Sequence, residues 1–311
     1  MLKGLVNRLA AVSAVGVDLG SAKLKLVQIA RTDGQAVLRG CAVADATDHA
    51  AVARILTEVF SGSGRRLGDA AIALAAPELI VKSVHFPAMP KKELASAIRL
   101  EAEQAILNGH TLDEMAIDWH PLASEIRESL RGLLAVVPKT LVAERLKPLT
   151  AAGLRATVID VEGLALWNAY WTLVGRREPA GKAVLLVNVG SRTTNLVMVK
   201  GQDELLLLRD IKLGGAALRA GQQADWLEEI RDSLAYARAK TGLRNLDAAY
   251  LTGGGATPEL APALRGLTAA PVTFWNPLAD LARDAKSPAV VDETIGPLLG
   301  VAIGLALRRP A

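Results

Sequence analysis

Apolar and polar positions along this chain fall into two periods, and the first clear stretch repeats. Residues 15–30, VGVDLGSAKLKLVQIA, read as an apolar strand, a tight Gly-Ser turn and an outgoing strand. Residues 185–200, LLVNVGSRTTNLVMVK, repeat that pattern without a gap at an offset of 170 positions. Asp18 then faces Asn188, Gly20 faces Gly190, and Ser21 faces Ser191. Each copy continues into a third strand that opens with Gly-Gln, GQAVLRGCAVA in one case and GQDELLLLRDIKL in the other. Two equivalent β-meanders imply two similar lobes, each presenting one Gly-Ser turn.

The remaining pattern alternates strands with helices. A helical period covers 47–60, DAAIALAA reads as a buried strand, and IVKSVHF alternates as a strand. Pro90 opens a helix with Leu94, Ala97, Ile98, Ala105 and Ile106 along one face. Strands MAIDWHPL and GLLAVVP and helix TLVAERLKPLTAAG follow. Strand ATVIDV then enters helix EGLALWNAYWTLV, and the polar stretch GRREPAGK precedes the second repeat. Beyond that repeat the pattern predicts one helical region over 214–241, strand AAYLT and a helix over 257–266. Strand PVTFW and a closing helix over 292–308 complete it. Alternation of this kind argues an α/β architecture.

Composition narrows the function. With 51% apolar and 22% charged residues, the chain can build a core and is not of the disordered class. A single cysteine, Cys41, excludes an internal disulfide framework and points to a reducing compartment, most simply the cytosol. His49, His85, His110 and His120 lack metal-ligand spacing, which argues against a transition-metal centre. The net charge of +4 is dispersed, and only 4% of residues are aromatic, which disfavours nucleic-acid binding. The uncharged stretch Thr294–Leu307 would make about 21 Å of helix against a bilayer core of about 30 Å. It reads as a buried helix. The N-terminal MLKGLVNRL reads either as a lipid contact or as a frayed lead-in, and not as a cleaved signal.

Chemistry concentrates at glycine turns. A Gly-Ser turn exposes backbone N–H groups that attract anions, and Gly lets a phosphate approach closely. Gly20 and Ser21 form one such turn, and Gly190, Ser191 and Thr193 form the other. Asp18 could hold Mg²⁺ through water, and Lys25 could reach a phosphate as a point charge. Gly253, Gly254 and Gly255 end a strand before a helix, where an anion or a flat adenosine could lie.

The order of these segments resembles the actin-like ATPase superfamily, an α/β, ribonuclease H-like fold of two duplicated lobes. VGVDLGSAKLKLV is similar to its first phosphate motif, LLVNVGSRTTNLVMV to the second and AAYLTGGGA to the adenosine motif. VIDVEGLALWNA and ETIGPLLGVAIGLAL look like the two connecting segments. Within the superfamily, VHFPAMPKKELASAIRLEAEQAI, LDEMAIDWHPL and LLLLRDIKLGG resemble the PilM family of type IV pilus assembly, which is related to FtsA. The likeness implies lobe I over 1–79 and 151–181, with the closing helix 292–311 packing back near it. It implies a relocated small subdomain over 80–150 and lobe II over 182–291.

The resemblance also implies a site for ATP and Mg²⁺. Asp18, Gly20, Ser21 and Lys25 would stand in the first phosphate motif, and Asn188, Gly190, Ser191 and Thr193 in the second. Gly253, Gly254 and Gly255 would stand at the adenosine. Glu162 either orients water or opens the helix that follows it. Two departures weaken the enzymatic expectation. Asn188 replaces the usual Asp, which should impair hydrolysis more than phosphate binding. Only AALRAGQQADWLE follows DIKLGG, where relatives carry a helical subdomain of lobe II that walls the adenine. The leading expectation is therefore a cytoplasmic scaffold at the inner membrane, in a type IV or mannose-sensitive agglutinin pilus. It would bind the cytoplasmic tail of a PilN-like membrane protein. The alternatives are an active ATPase or kinase, a type II secretion platform component and a filament-forming protein.

Overall fold

The computed structural model describes residues 12–32, 35–45, 69–106, 109–122, 129–151, 154–283 and 293–308. The helix expected over 47–60 and the N-terminal lead-in lie outside them. Along the chain come β1 (Val12–Leu19), β2 (Lys23–Thr32), β3 (Gln35–Asp45), β4 (Asp69–Leu74) and β5 (Ile80–Pro87). Next are α1 (Lys91–Ala105), β6 (Met115–Leu122), β7 (Ser129–Pro138), α2 (Lys139–Ala151), β8 (Arg155–Val161) and α3 (Glu162–Leu173). The second half runs β9 (Ala183–Val189), β10 (Thr194–Lys200), β11 (Glu204–Ile211), α4 (Gly215–Arg219), α5 (Gln223–Thr241) and β12 (Ala248–Thr252). It closes with α6 (Leu260–Thr268), β13 (Val272–Phe274), β14 (Ala282–Arg283) and α7 (Gly300–Ala306).

The duplication is visible in the sheets. In lobe I the strand order is β14-β3-β2-β1-β4-β8, and in lobe II it is β11-β10-β9-β12-β13. Setting β14 aside, both sheets place the third, second and first strands beside a fourth and fifth. The meanders β1-β2-β3 and β9-β10-β11 are antiparallel. β4 joins β1, and β12 joins β9, in parallel. The repeat read from residues 15–30 and 185–200 is thus one sheet topology built twice. This is the two-lobed α/β topology that the resemblance to actin-like proteins implies.

Between the two sheets lie two helices. α7 packs on β1 and β2, and α3 packs on α7 and on the lobe II sheet. Small residues permit this layering. A Cβ at Gly16 of β1 would collide with the Ala302 carbonyl of α7, and one at Gly304 of α7 with the Ala165 carbonyl of α3. At both crossings one backbone lies directly on the next, which only glycine allows. The lobe II core lies on the far face of its sheet, where Val187, Leu196, Met198 and Leu251 pack against Trp226, Ile230 and Leu234 of α5.

Two helical expectations are corrected by the structure. The region over 214–241 is two helices, because Gly221 adopts φ +86° between α4 and α5. The closing helix begins as a 3₁₀ segment, Glu293–Leu299, and becomes α-helical only at Gly300. Pro297 inside that segment has no N–H to donate to an α-helical ladder. Between β11 and β12 the chain contains α4 and α5 alone, with no further helical subdomain.

Contacts divide the chain into two compact units, Leu74–Lys147 and the remainder. The smaller unit is a three-stranded antiparallel sheet, β5-β7-β6, carrying α1 on one face. Val84, Phe86, Met115, Leu134 and Val136 close its core against Ala102, with Leu94, Ala97 and Ile98 alongside. The alternation in IVKSVHF that predicts a strand therefore also selects its buried face.

Candidate functional site

The first Gly-Ser turn joins β1 to β2. The Gly20 N–H donates to the Lys23 carbonyl at 3.1 Å, which closes the turn on itself. Ser21 and Ala22 are left exposed at the tip, and their amides engage no partner among the described residues. Directly behind them, Asp18 and Lys25 are opposite each other in the β1–β2 register. The Lys25 ammonium donates to the Asp18 carboxylate at 2.8 Å, and Asp18 is only 3% exposed. Lys25 folds back over the turn, its Nζ 2.6 Å from where a Gly20 Cβ would lie. A cation and two unengaged amides thus converge at the mouth of lobe I.

The second turn repeats the geometry and changes the charge. The Gly190 N–H donates to the Thr193 carbonyl at 2.8 Å, matching Gly20 and Lys23 across the offset of 170. Asn188 and Asn195 then occupy the register positions of Asp18 and Lys25. The Asn188 amide donates to Asn195 Oδ1 at 2.7 Å. Asn195, 2% exposed, donates in turn to Asp210 at 2.8 Å and to Glu162 at 3.3 Å. One ion pair in lobe I has become one amide pair in lobe II, and that pair holds two carboxylates. Asp210 lies on β11 with one oxygen turned in to Asn195. Loss of water around that end pushes its pKa up, and the Asn195 hydrogen bond pulls it the other way.

Asn195 and Asp210 are the residues that sequence reasoning missed. The signal was available, because the offset that sets Asp18 against Asn188 also sets Lys25 against Asn195. Asp210 carried no such signal. It meets Asn195 only because β11 pairs with β10 in that register.

The triple glycine does not open a helix, since α6 begins only at Leu260. Gly253, at φ +104°, donates its N–H to the Pro297 carbonyl at 2.9 Å, and Gly255 donates to Val189 at 2.8 Å. A Cβ on Gly253 would lie 2.7 Å from Asn188 Oδ1, so this turn packs against the amide pair. Gly254 is exposed beside Leu298. The start of α4 is also occupied, with Gly215 and Ala216 donating to the carbonyls of Gly190 and Ser191. The Ser191 and Arg192 amides have no partner among the described residues. Thr193 enters through its carbonyl, and the neighbouring Thr194 hydroxyl donates to Leu213 and accepts from Trp226 Nε1.

These residues fit a phosphate group better than they fit its metal. Lobe I offers an ammonium with the Ser21 and Ala22 amides, a suitable anion cradle. For Mg²⁺ the carboxylate at the turns is Asp18, already engaged by Lys25, and its counterpart Asn188 carries no charge. Among the described residues no group of three or more acidic, histidine or cysteine side chains converges.

Comparison with known proteins places the chain. The family model described as type IV pilus assembly protein PilM matches residues 16–226. A solved PilM-PilN type IV pilus biogenesis complex contains a chain 26% identical to this one, at a TM-score of 0.79. The match covers 95% of this chain and 98% of that one. The cytoplasmic domain of EpsL, an inner-membrane component of the Vibrio cholerae type II secretion system, is 14% identical at a TM-score of 0.49. That match covers 95% and 94% of the two chains. With two thirds of its length matched by that model, the chain belongs to the PilM family of type IV pilus assembly proteins.

Proposed function

We propose that this protein is a scaffold of a pilus assembly platform, holding the cytoplasmic tail of a PilN-like inner-membrane protein as an extended peptide. The observation that carries the reading is the likeness over nearly the whole chain to the protein in the PilM-PilN complex. No helix among the described residues is long and apolar enough to cross a membrane. An extended peptide brings main-chain hydrogen bonds for affinity and alternate side chains for selectivity. The experiment is titration of the protein with a synthetic peptide of the N-terminal cytoplasmic tail of a PilN-like protein. Saturable binding is expected, and a flat isotherm at high micromolar peptide would sink the reading.

Nucleotide plays a secondary part in this proposal. The Lys25 ammonium and the Ser21 and Ala22 amides favour weak binding of a phosphate group at lobe I. The neutral pair Asn188–Asn195 disfavours turnover, because position 188 supplies no charge for a metal and the carboxylates beside it, Asp210 and Glu162, are engaged by the Asn195 amide. Mg-ATP is expected to raise Tm slightly, with no phosphate release above the uncatalysed background.

A further inference from the structure

The chain crosses from lobe I to lobe II where β8 runs into α3, and two acids flank Val161 at that point. Asp160 accepts from Arg308 Nε at 2.6 Å, which ties the end of β8 to the end of α7. The same guanidinium reaches the Leu164 carbonyl in the first turn of α3 at 3.4 Å. The Val161 N–H, at the junction itself, donates to Asp160 Oδ1 at 2.8 Å. One residue on, Glu162 accepts from Asn195 of the lobe II sheet. The connection is therefore held to lobe I on one side and to lobe II on the other.

The return crossing is held as well. Pro297, in the segment leading back to α7, accepts from the Gly253 N–H, and the Thr252 hydroxyl lies 3.0 Å from the same carbonyl. Between the two crossings, Asn168 of α3 donates to the Gly304 carbonyl of α7 at 2.8 Å, beside the backbone contact at Ala165. Rotating one lobe against the other requires α3 to slide on α7. Sliding would break the Asn168 bond and drive Ala165 out of the gap that Gly304 leaves open.

We infer that the Asp160–Arg308 and Glu162–Asn195 contacts form a double clamp that sets the angle between the lobes without bound nucleotide. The inference concerns the larger unit alone and its test uses no peptide. Its test is a distance measurement between spin labels on the two lobes, with cysteines at Gln35 and Ala239 in a Cys41→Ser background. The parent should give one narrow distance, unchanged by Mg-ATP. Asn195→Ser combined with Arg308→Gln should widen the distribution about twofold and speed amide exchange in the first turn of α3 roughly tenfold. If the double variant fails to fold, Arg308→Gln alone decides, since that side chain sits at the partly exposed end of the clamp. A parent distance that shifts with Mg-ATP, or variants whose distribution and exchange match the parent, would overturn the inference.

Discussion

Restoring the carboxylate at position 188 should damage the protein rather than revive an enzyme. Asn188→Asp is nearly isosteric, so packing changes little and the effect isolates the electrostatics. In the native pair the Asn188 amide donates to Asn195 Oδ1 at 2.7 Å, while both Asn195 amide hydrogens are committed to Asp210 and Glu162. A carboxylate at 188 sets two acceptors against each other. Flipping the Asn195 amide cures that contact and turns its oxygen toward Asp210 and Glu162 instead. Unflipped, one acceptor is set against the new charge; flipped, both Asp210 and Glu162 lose their donor, so a part-buried acceptor is left unmatched beside a third acid in either case. An unsatisfied buried group costs ~1–3 kcal/mol, and an uncompensated buried charge ~3–5 kcal/mol. Because Asn188 is only half-buried, about 2–4 kcal/mol is the reasonable span, a fall in Tm of roughly 3–6 °C for a chain of this length. Asn188→Asp with Asn195→Lys rebuilds the lobe I pairing at the same register and should recover most of the loss. Thermal and urea unfolding of the parent, both single variants and the double variant give the coupling directly. An Asn188→Asp variant as stable as the parent at pH 7, or a double variant no better than that single one, would refute the reasoning.

The mirror experiment belongs in lobe I. Asp18→Asn strands the largely buried Lys25 ammonium and should cost about 2–4 kcal/mol. Asp18→Asn with Lys25→Asn should restore stability while abolishing any Mg-ATP-induced shift in Tm. Gly304→Ala places a methyl group against the Ala165 carbonyl; overpacking of ~1–3 kcal/mol should outweigh the gain of ~1 kcal/mol in helix propensity, read as a lower melting temperature. Asp210→Asn tests the raised pKa of that carboxyl. An acid whose pKa is higher folded than unfolded stabilises the protein when protonated and loses that contribution as pH rises through the folded value. Asparagine should therefore raise Tm at pH 7 and change nothing below about pH 4, checked by melts across that range.

Much of the architecture was legible because local physics writes it. Alternating apolar positions mark the strands, glycine marks the turns, and a gapless offset of 170 marks the duplication that the two sheets display. The break at Gly221 was harder to read, because a glycine within a helical period ends the helix only if its φ turns positive. Gly253 and Gly255 read as a helix entry because glycine runs often precede helices. Their amides instead meet Pro297 and Val189, which lie 44 and 66 positions away in the chain.

By itself, the sequence determined the two lobes, the two turns, and a family likeness carried by motif order along the chain. It also showed that lobe II lacks the acid of lobe I. Only the tertiary structure decided what that loss means. Asn188 is no isolated gap in a metal site, because its register partner Asn195 is neutral as well and donates to Asp210 and Glu162. The reason is that charge balance in a part-buried site is set by neighbours across strands and between lobes. Their separations, from 7 to 33 positions here, follow from register and helix docking rather than from any local run of residues.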